Sequence, residues 1–351
     1  MWSLHWYLDG QLFPFCHRFI PLSPVLCTYE STLVSQFGFG SNNHCLHLLN
    51  EFLHPGKGSS GDHSCFVTPV YGGDVKTLWA QHKNFPLPLA KRMLLHTLRG
   101  IAHAHSKGVI HTDLKHDNIF FTSLLSRQDI DANLASDPPR RNPPEASFDG
   151  IVSSAVTQHL PVPSLDDAMK CKYLIADFGS GQLSDKPKED EITAAPLRAP
   201  EVLLRGSWDE KVDIWAFGCL IFEFVVGRSL FRHEGYKDPN TDITLDEIAF
   251  HLYQMACFLG EVDFPAEVLQ HSRLASPYFK TDCECVPCTY RAQDVLTIGT
   301  LKAWQINSTK KFSPEDVKST NEIVKRCLEL NPADRPTAAE LLNDPWFLGV
   351  E

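Results

Sequence analysis

A chain of 351 residues with 43% hydrophobic and 21% charged residues can bury a sizeable core and falls in the globular class. Its formal charge of −11 and pI near 5.8 argue against a primary nucleic-acid binder, and fit either a basic partner or ordinary solubility. Eleven cysteines at irregular spacing form no even disulfide framework, no cationic and apolar leader opens the chain, and no apolar run approaches the roughly 18 residues of a membrane helix, which predicts a reducing compartment, cytoplasmic or nuclear, without membrane contact. A monomer without direct nucleic-acid contact is expected.

Residues 1–27 are aromatic, proline-broken and almost uncharged, with no period of two or 3.6. Residues 29–36 read as the end of a helix, with Leu33 and Val34 facing a core and Glu30 beside them. Two strand-like runs follow, 45–52 and 64–70, joined by HPGKGSSGD with G-x-G-x-x-G at Gly56, Gly58 and Gly61. A dinucleotide fingerprint needs a helix next, whereas SCFVTPVY is β-rich, so the glycines predict a hairpin turn. Residues 87–107 carry apolar positions at Leu89, Met93, Leu94, Leu98, Ile101 and Ala104, a helical stripe closed by Gly108.

That helix delivers the chain into VIHTDLKHDN at 109–118, where an acid (Asp113), a cation (Lys115) and an amide (Asn118) crowd into one loop. Residues 122–170 lapse into a polar, proline-dense stretch around DPPRRNPPE, predicting an inserted surface segment with no packed element. Residues 173–176 resume as a buried strand, 212–226 as a helix apolar nearly all round, and 245–260, 314–330 and 337–342 as further helices. In CECVPC, Cys285 and Cys288 form a single Cys-x-x-Cys pair beside Cys283, short of the four ligands of a structural zinc site, so a reduced surface loop is expected.

The order of HTDLKHDN at 111–118, IADFGSG at 175–181, RAPE at 198–201, DIWAFGC at 213–219 and NPADRPTAAELL at 331–342 resembles the eukaryotic protein kinases, from about residue 44 to 348. Arg198 before A-P-E, Thr in the second position of the catalytic loop, the insertion at 122–170, and LASPYF and LKAW further on resemble the SR-protein kinases of the CMGC group. The resemblance implies an α+β, two-lobed protein kinase-like fold: a poorly defined segment at 1–27, a truncated β-rich small lobe at 28–70, and a hinge and α-helical large lobe at 71–348. It implies ATP and Mg²⁺ as cofactors and a Ser/Thr protein substrate of Arg/Ser-rich type. Asp113 then takes the substrate hydroxyl proton and Lys115 meets the γ-phosphate. Asn118 and Asp177 hold the metal and the nucleotide phosphates. Thr68 is the gatekeeper, Val70 and Tyr71 form the hinge against adenine, and Asp213 ties down the catalytic loop. Glu201 and Arg335 form a buried structural pair.

Three departures stand against this reading. Residues 1–56 contain no lysine, so no third-strand lysine precedes Glu30, the position resembling the family's helix-C glutamate. No Gly-rich loop precedes Glu30 either. Ala194 also falls where many kinases have a threonine that bonds the catalytic aspartate and lysine. The rival expectation is therefore a pseudokinase scaffold that binds protein partners without efficient phosphoryl transfer.

Overall fold

The computed structural model describes residues 7–8, 11–12, 16–17, 44–55, 62–138, 140–147, 150–153, 156, 160–185, 191–239, 242–259, 264–280, 285 and 312–351. The chain is α+β and divides into two compact units, one of residues 1–82 with 116–181, the other of 83–115 with 182–351. Glu30, the Gly56–Gly61 turn, Cys283, Cys288 and the LKAW stretch lie outside the described residues.

In the first unit, β1 (Tyr7–Leu8) pairs with β2 (Gln11–Leu12), and β3 (Cys16–His17), β4 (Asn50–Pro55) and β5 (Asp62–Val67) form an antiparallel sheet in the order β3-β5-β4. The single strand expected at 45–52 is in fact shared between two sheets. Cys45 bridges in parallel to Ile175, with the Leu46 N–H donating to the Ile175 carbonyl at 2.8 Å, and β4 begins only at Asn50. The strand expected at 64–70 stops at Val67, ahead of Pro69, whose nitrogen has no proton to donate to a ladder.

The second sheet is β11-β8-β6, made by Tyr173–Ile175, Ile119–Thr122 and Tyr71–Asp74, all antiparallel. Phe120, Leu174 and Ala176 are its buried cluster, with Leu46 and Tyr71 packed against them. Helix α1 (Val75–His82) follows β6 directly, burying Val75 and Leu78.

Residues 122–170 contain more regular structure than expected. Helix α3 (Arg127–Ser136) buries no residue and has no apolar stripe, which is why its period is silent in the sequence. It is started by a reciprocal cap: the Ser126 hydroxyl accepts the Asp129 N–H, and the Asp129 carboxylate accepts the Ser126 N–H at 2.8 Å. A hairpin of β9 (Glu145–Ser147) and β10 (Gly150–Val152) and a short helix, α4 (Leu165–Ala168), complete the segment.

The second unit is helical. Helix α2 (Leu87–Ser106) buries its predicted stripe and leads through Gly108, at φ +69°, into β7 (Val109–Ile110), which pairs with β12 (Gln182–Leu183). After α5 (Pro200–Leu203), helix α6 (Lys211–Val226) is buried at almost every position. Its Gly218 is needed for close packing, since a Cβ there would sit 2.6 Å from the Cys327 Cβ of helix α9 (Pro314–Cys327). Helix α9 is capped by Ser313, with Glu315 and Asp316 in its first turn and Lys325 and Arg326 in its last, matching the helix dipole at both ends.

Helices α7 (Glu247–Leu259), α8 (Ala266–Gln270) and α10 (Ala338–Leu341) complete this unit. Cys285, expected on a surface loop, is instead fully buried and bridges to Phe279, a placement fixed by pairing that its spacing in sequence does not reveal. Among the described residues no helix is long and apolar enough to cross a membrane, and no group of three metal-ligating side chains is found.

Candidate active site

The 109–118 loop straddles the boundary between the units, which falls between Lys115 and His116. Asp113 and Lys115 therefore belong to the second unit. Thr68, Val70, Tyr71, Asn118 and Asp177 belong to the first.

In the second unit the loop backbone is tethered by Asp213, buried in the first turn of α6. Its Oδ2 accepts the His111 N–H at 2.8 Å and lies 2.9 Å from His105 Nε2, while Oδ1 accepts the Thr112 N–H at 2.9 Å. Burial pushes the Asp213 carboxyl up. The His105 hydrogen bond, the charges of His105 and His111 and the His111 N–H outweigh it, so the group stays below the usual carboxylate range. An ionised Asp213 can accept all three contacts at once, as a neutral acid cannot.

Thr112 is buried and sits at φ +63°, a region that β-branched residues enter only under constraint. The turn it makes presents the next residues. Asp113 Oδ2 is 2.6 Å from Lys115 Nζ, with both side chains partly open to solvent, and the Asp113 N–H donates to His111 Nδ1 at 3.3 Å. A carboxylate and an ammonium thus stand side by side on a pinned loop, chemically able to take up a proton and to offset negative charge.

One contact has no counterpart in the sequence reading. The Thr193 hydroxyl donates to the Thr112 carbonyl at 3.0 Å, and Thr193 itself is held at φ +65° while Arg198 Nε donates to its carbonyl at 3.0 Å. The family pattern points to Ala194, and only a hydroxyl one place earlier marks Thr193 in the sequence.

In the first unit, Ile119 pairs with Ile175, and the buried Asn118 accepts the Ala176 N–H on its main-chain carbonyl at 2.9 Å. This brings Asn118 beside the residue before Asp177. Asp177 is at φ +64°, opening the 3-10 turn Phe178–Ser180. An amide and a carboxylate on adjoining chain segments make a hard-oxygen donor set that fits Mg²⁺. Lys76, on α1, reaches Asp117 Oδ2 at 2.6 Å in the turn that carries Asn118; the hydrogen bond to Asp117 raises its ammonium, and no motif in the sequence singles it out.

Thr68 is fully buried, its hydroxyl donating to the Pro69 carbonyl at 3.1 Å. Val70 is half-buried, and Tyr71 opens β6 with its ring 5.9 Å from that of Phe120 and its hydroxyl accepting the His47 N–H at 3.3 Å.

The protein kinase domain family matches residues 49–142 and 165–347. The chain belongs to the protein kinase family. Within it, the kinase chain is similar to the serine/threonine-protein kinase SRPK of Physarum polycephalum, 27% identical over 324 residues that cover 86% of this chain and 71% of that protein. It is similar also to the dual specificity protein kinase lkh1 of Schizosaccharomyces pombe, 25% identical over 88% of this chain and 38% of the relative. The dual specificity protein kinase CLK2 of Mus musculus is 23% identical over 88% of this chain and 52% of its own length. The kinase chain thus spans well under two thirds of these last two relatives. These similarities make it a protein kinase resembling the SR-protein kinases of the CMGC group. The family match omits residues 143–164, which include the β9–β10 hairpin from Glu145 onward.

Proposed function

We propose that this chain transfers the γ-phosphate of ATP to a serine or threonine hydroxyl of a protein, with Arg/Ser-rich segments as the substrate class. The observation that carries this reading is the pinned loop, in which Asp213 holds the His111 and Thr112 amides while Asp113 and Lys115 lie 2.6 Å apart. Phosphoryl transfer asks the protein for alignment and charge neutralisation more than for covalent chemistry. The Asp113 carboxylate orients the substrate hydroxyl and takes its proton, and Lys115 offsets charge developing on the transferred group. Asn118 and Asp177 would hold Mg²⁺, which when bound neutralises phosphate charge. Thr68, Val70 and Tyr71 would receive the adenine, and the net charge of −11 favours arginine-rich partners.

Transfer of labelled phosphate from ATP to an Arg/Ser peptide and to a neutral Ser peptide tests this, with Asp113→Asn as control. Transfer that prefers the Arg/Ser peptide and drops about 10²- to 10⁴-fold in the control is expected. Transfer no faster than that of the control would leave a binding scaffold instead.

A further inference from the structure

The Thr112 residue is gripped at both ends. Its N–H donates to Asp213 Oδ1 at 2.9 Å, and its carbonyl accepts the Thr193 hydroxyl at 3.0 Å. That carbonyl belongs to the peptide unit joining Thr112 to Asp113, so rotating this unit would swing the Asp113 side chain. The Asp213 contact does not itself hold this unit against turning about the Thr112 Cα–C bond; the long 3.3 Å bond from the Asp113 N–H to His111 Nδ1 restrains its amide end, and the Thr193 contact restrains its carbonyl end.

Both threonines are held in the left-handed region, at φ +63° and +65°, which costs a β-branched residue strain that the surroundings must over-determine. Arg198 supplies this at Thr193, its Nε donating to the Ile192 and Thr193 carbonyls at 3.2 and 3.0 Å. Ala194 has no hydroxyl to offer. We propose that Thr193 is the positioning residue that locks the Thr112–Asp113 peptide for phosphoryl transfer, performing from one place earlier what Ala194 cannot. This rests on the kinase reading above, and acts through Asp113 without touching substrate.

The test compares the wild-type chain with Thr193→Val, which keeps the β-branched shape and loses the donor, and Thr193→Ser, which keeps the donor. Steady-state kinetics, the thermal midpoint and hydrogen exchange at the Asp113 amide are measured for each. Thr193→Val is expected to lose roughly 5- to 10-fold in kcat, the scale of one neutral hydrogen bond, with both KM values within about twofold and an unchanged midpoint. Its Asp113 amide exchanges faster, and Thr193→Ser returns both readings to near wild type. A valine variant with wild-type kcat and exchange overturns the proposal, as does a serine variant as impaired as the valine one. Wild-type chain inert toward every peptide would defeat the kinase reading, and the exchange comparison would then decide the role of Thr193 alone.

Discussion

Arg335 and Glu201 form a two-pronged ion pair, Nη1 to Oε1 at 2.6 Å and Nη2 to Oε2 at 2.8 Å, with both residues 1% exposed. The guanidinium also lies 4.9 Å from the Trp215 ring centroid and donates to the Glu329 carbonyl at 2.8 Å, so its donors are widely used. Removing one partner strands a buried charge, and Arg335→Ala is expected to cost about 3–5 kcal/mol. Arg335→Lys keeps the charge without the fork and should fall between. Urea denaturation measures both, and an alanine variant within about 1 kcal/mol of wild type would refute this account.

His251 gives the second unit an acid sensitivity. It is buried on α7, with its ring 5.4 Å from that of Phe231 and its Nδ1 3.4 Å from that of His233; its Nε2 has no hydrogen-bond partner among the described residues. Burial, then the charges of His233 and Arg198, pull its pKa from 6.5 to about 3. The unfolded chain therefore binds the proton first, and stability falls as pH drops from 6.5 towards 3, by up to about 1.4 kcal/mol per unit. His251→Phe should flatten the denaturation free energy across that window. An unaltered slope in the variant would sink the assignment.

Motifs whose chemistry depends on local spacing are legible in the sequence; contacts made by pairing over distance are not. The apolar stripe of α2 and the all-apolar α6 declare themselves because burial follows helical period. Asp213 is identified as the tether of the catalytic loop by resemblance, and its two amide contacts bear this out. Cys45 reads into the wrong strand because its partner, Ile175, is far along the chain. Helix α3 escapes because it is held by a cap and buries nothing, and Thr193 because its role depends on a carbonyl at Thr112.

Thr112 occupies the position at which eukaryotic protein kinases outside the SR-protein kinases usually carry an arginine, and it is buried with its N–H on Asp213. It carries no charge with which to capture a phosphate on the activation segment. Activity should therefore be independent of such a phosphate. Phosphatase-treated and untreated chain are expected to agree within about twofold in a transfer assay, and a tenfold drop after treatment would contradict this reading of Thr112.

Asp213→Asn separates the charge of the tether from its shape. The amide keeps one acceptor oxygen but turns an NH₂ towards donors, so at least one of the His105, His111 and Thr112 hydrogen bonds is replaced by donor against donor. Breaking a buried charge-assisted hydrogen bond in this way costs about 1.5–3 kcal/mol, and kcat should fall further than for Thr193→Val because both amides ahead of Asp113 are loosened. The pH behaviour carries the sign of a depressed carboxylate. Stability from Asp213 is fully present above the unfolded value near 3.8 and disappears as pH falls through its lower folded value. The asparagine variant should thus be less stable at neutral pH and show a shallower acid limb below pH 3.8, with the part of the His251 slope between pH 6.5 and 3.8 unchanged. Denaturation between about pH 2 and pH 7, run beside the transfer assay, measures all three quantities. Equal acid limbs in wild type and variant would show that Asp213 is not held ionised by its three donors.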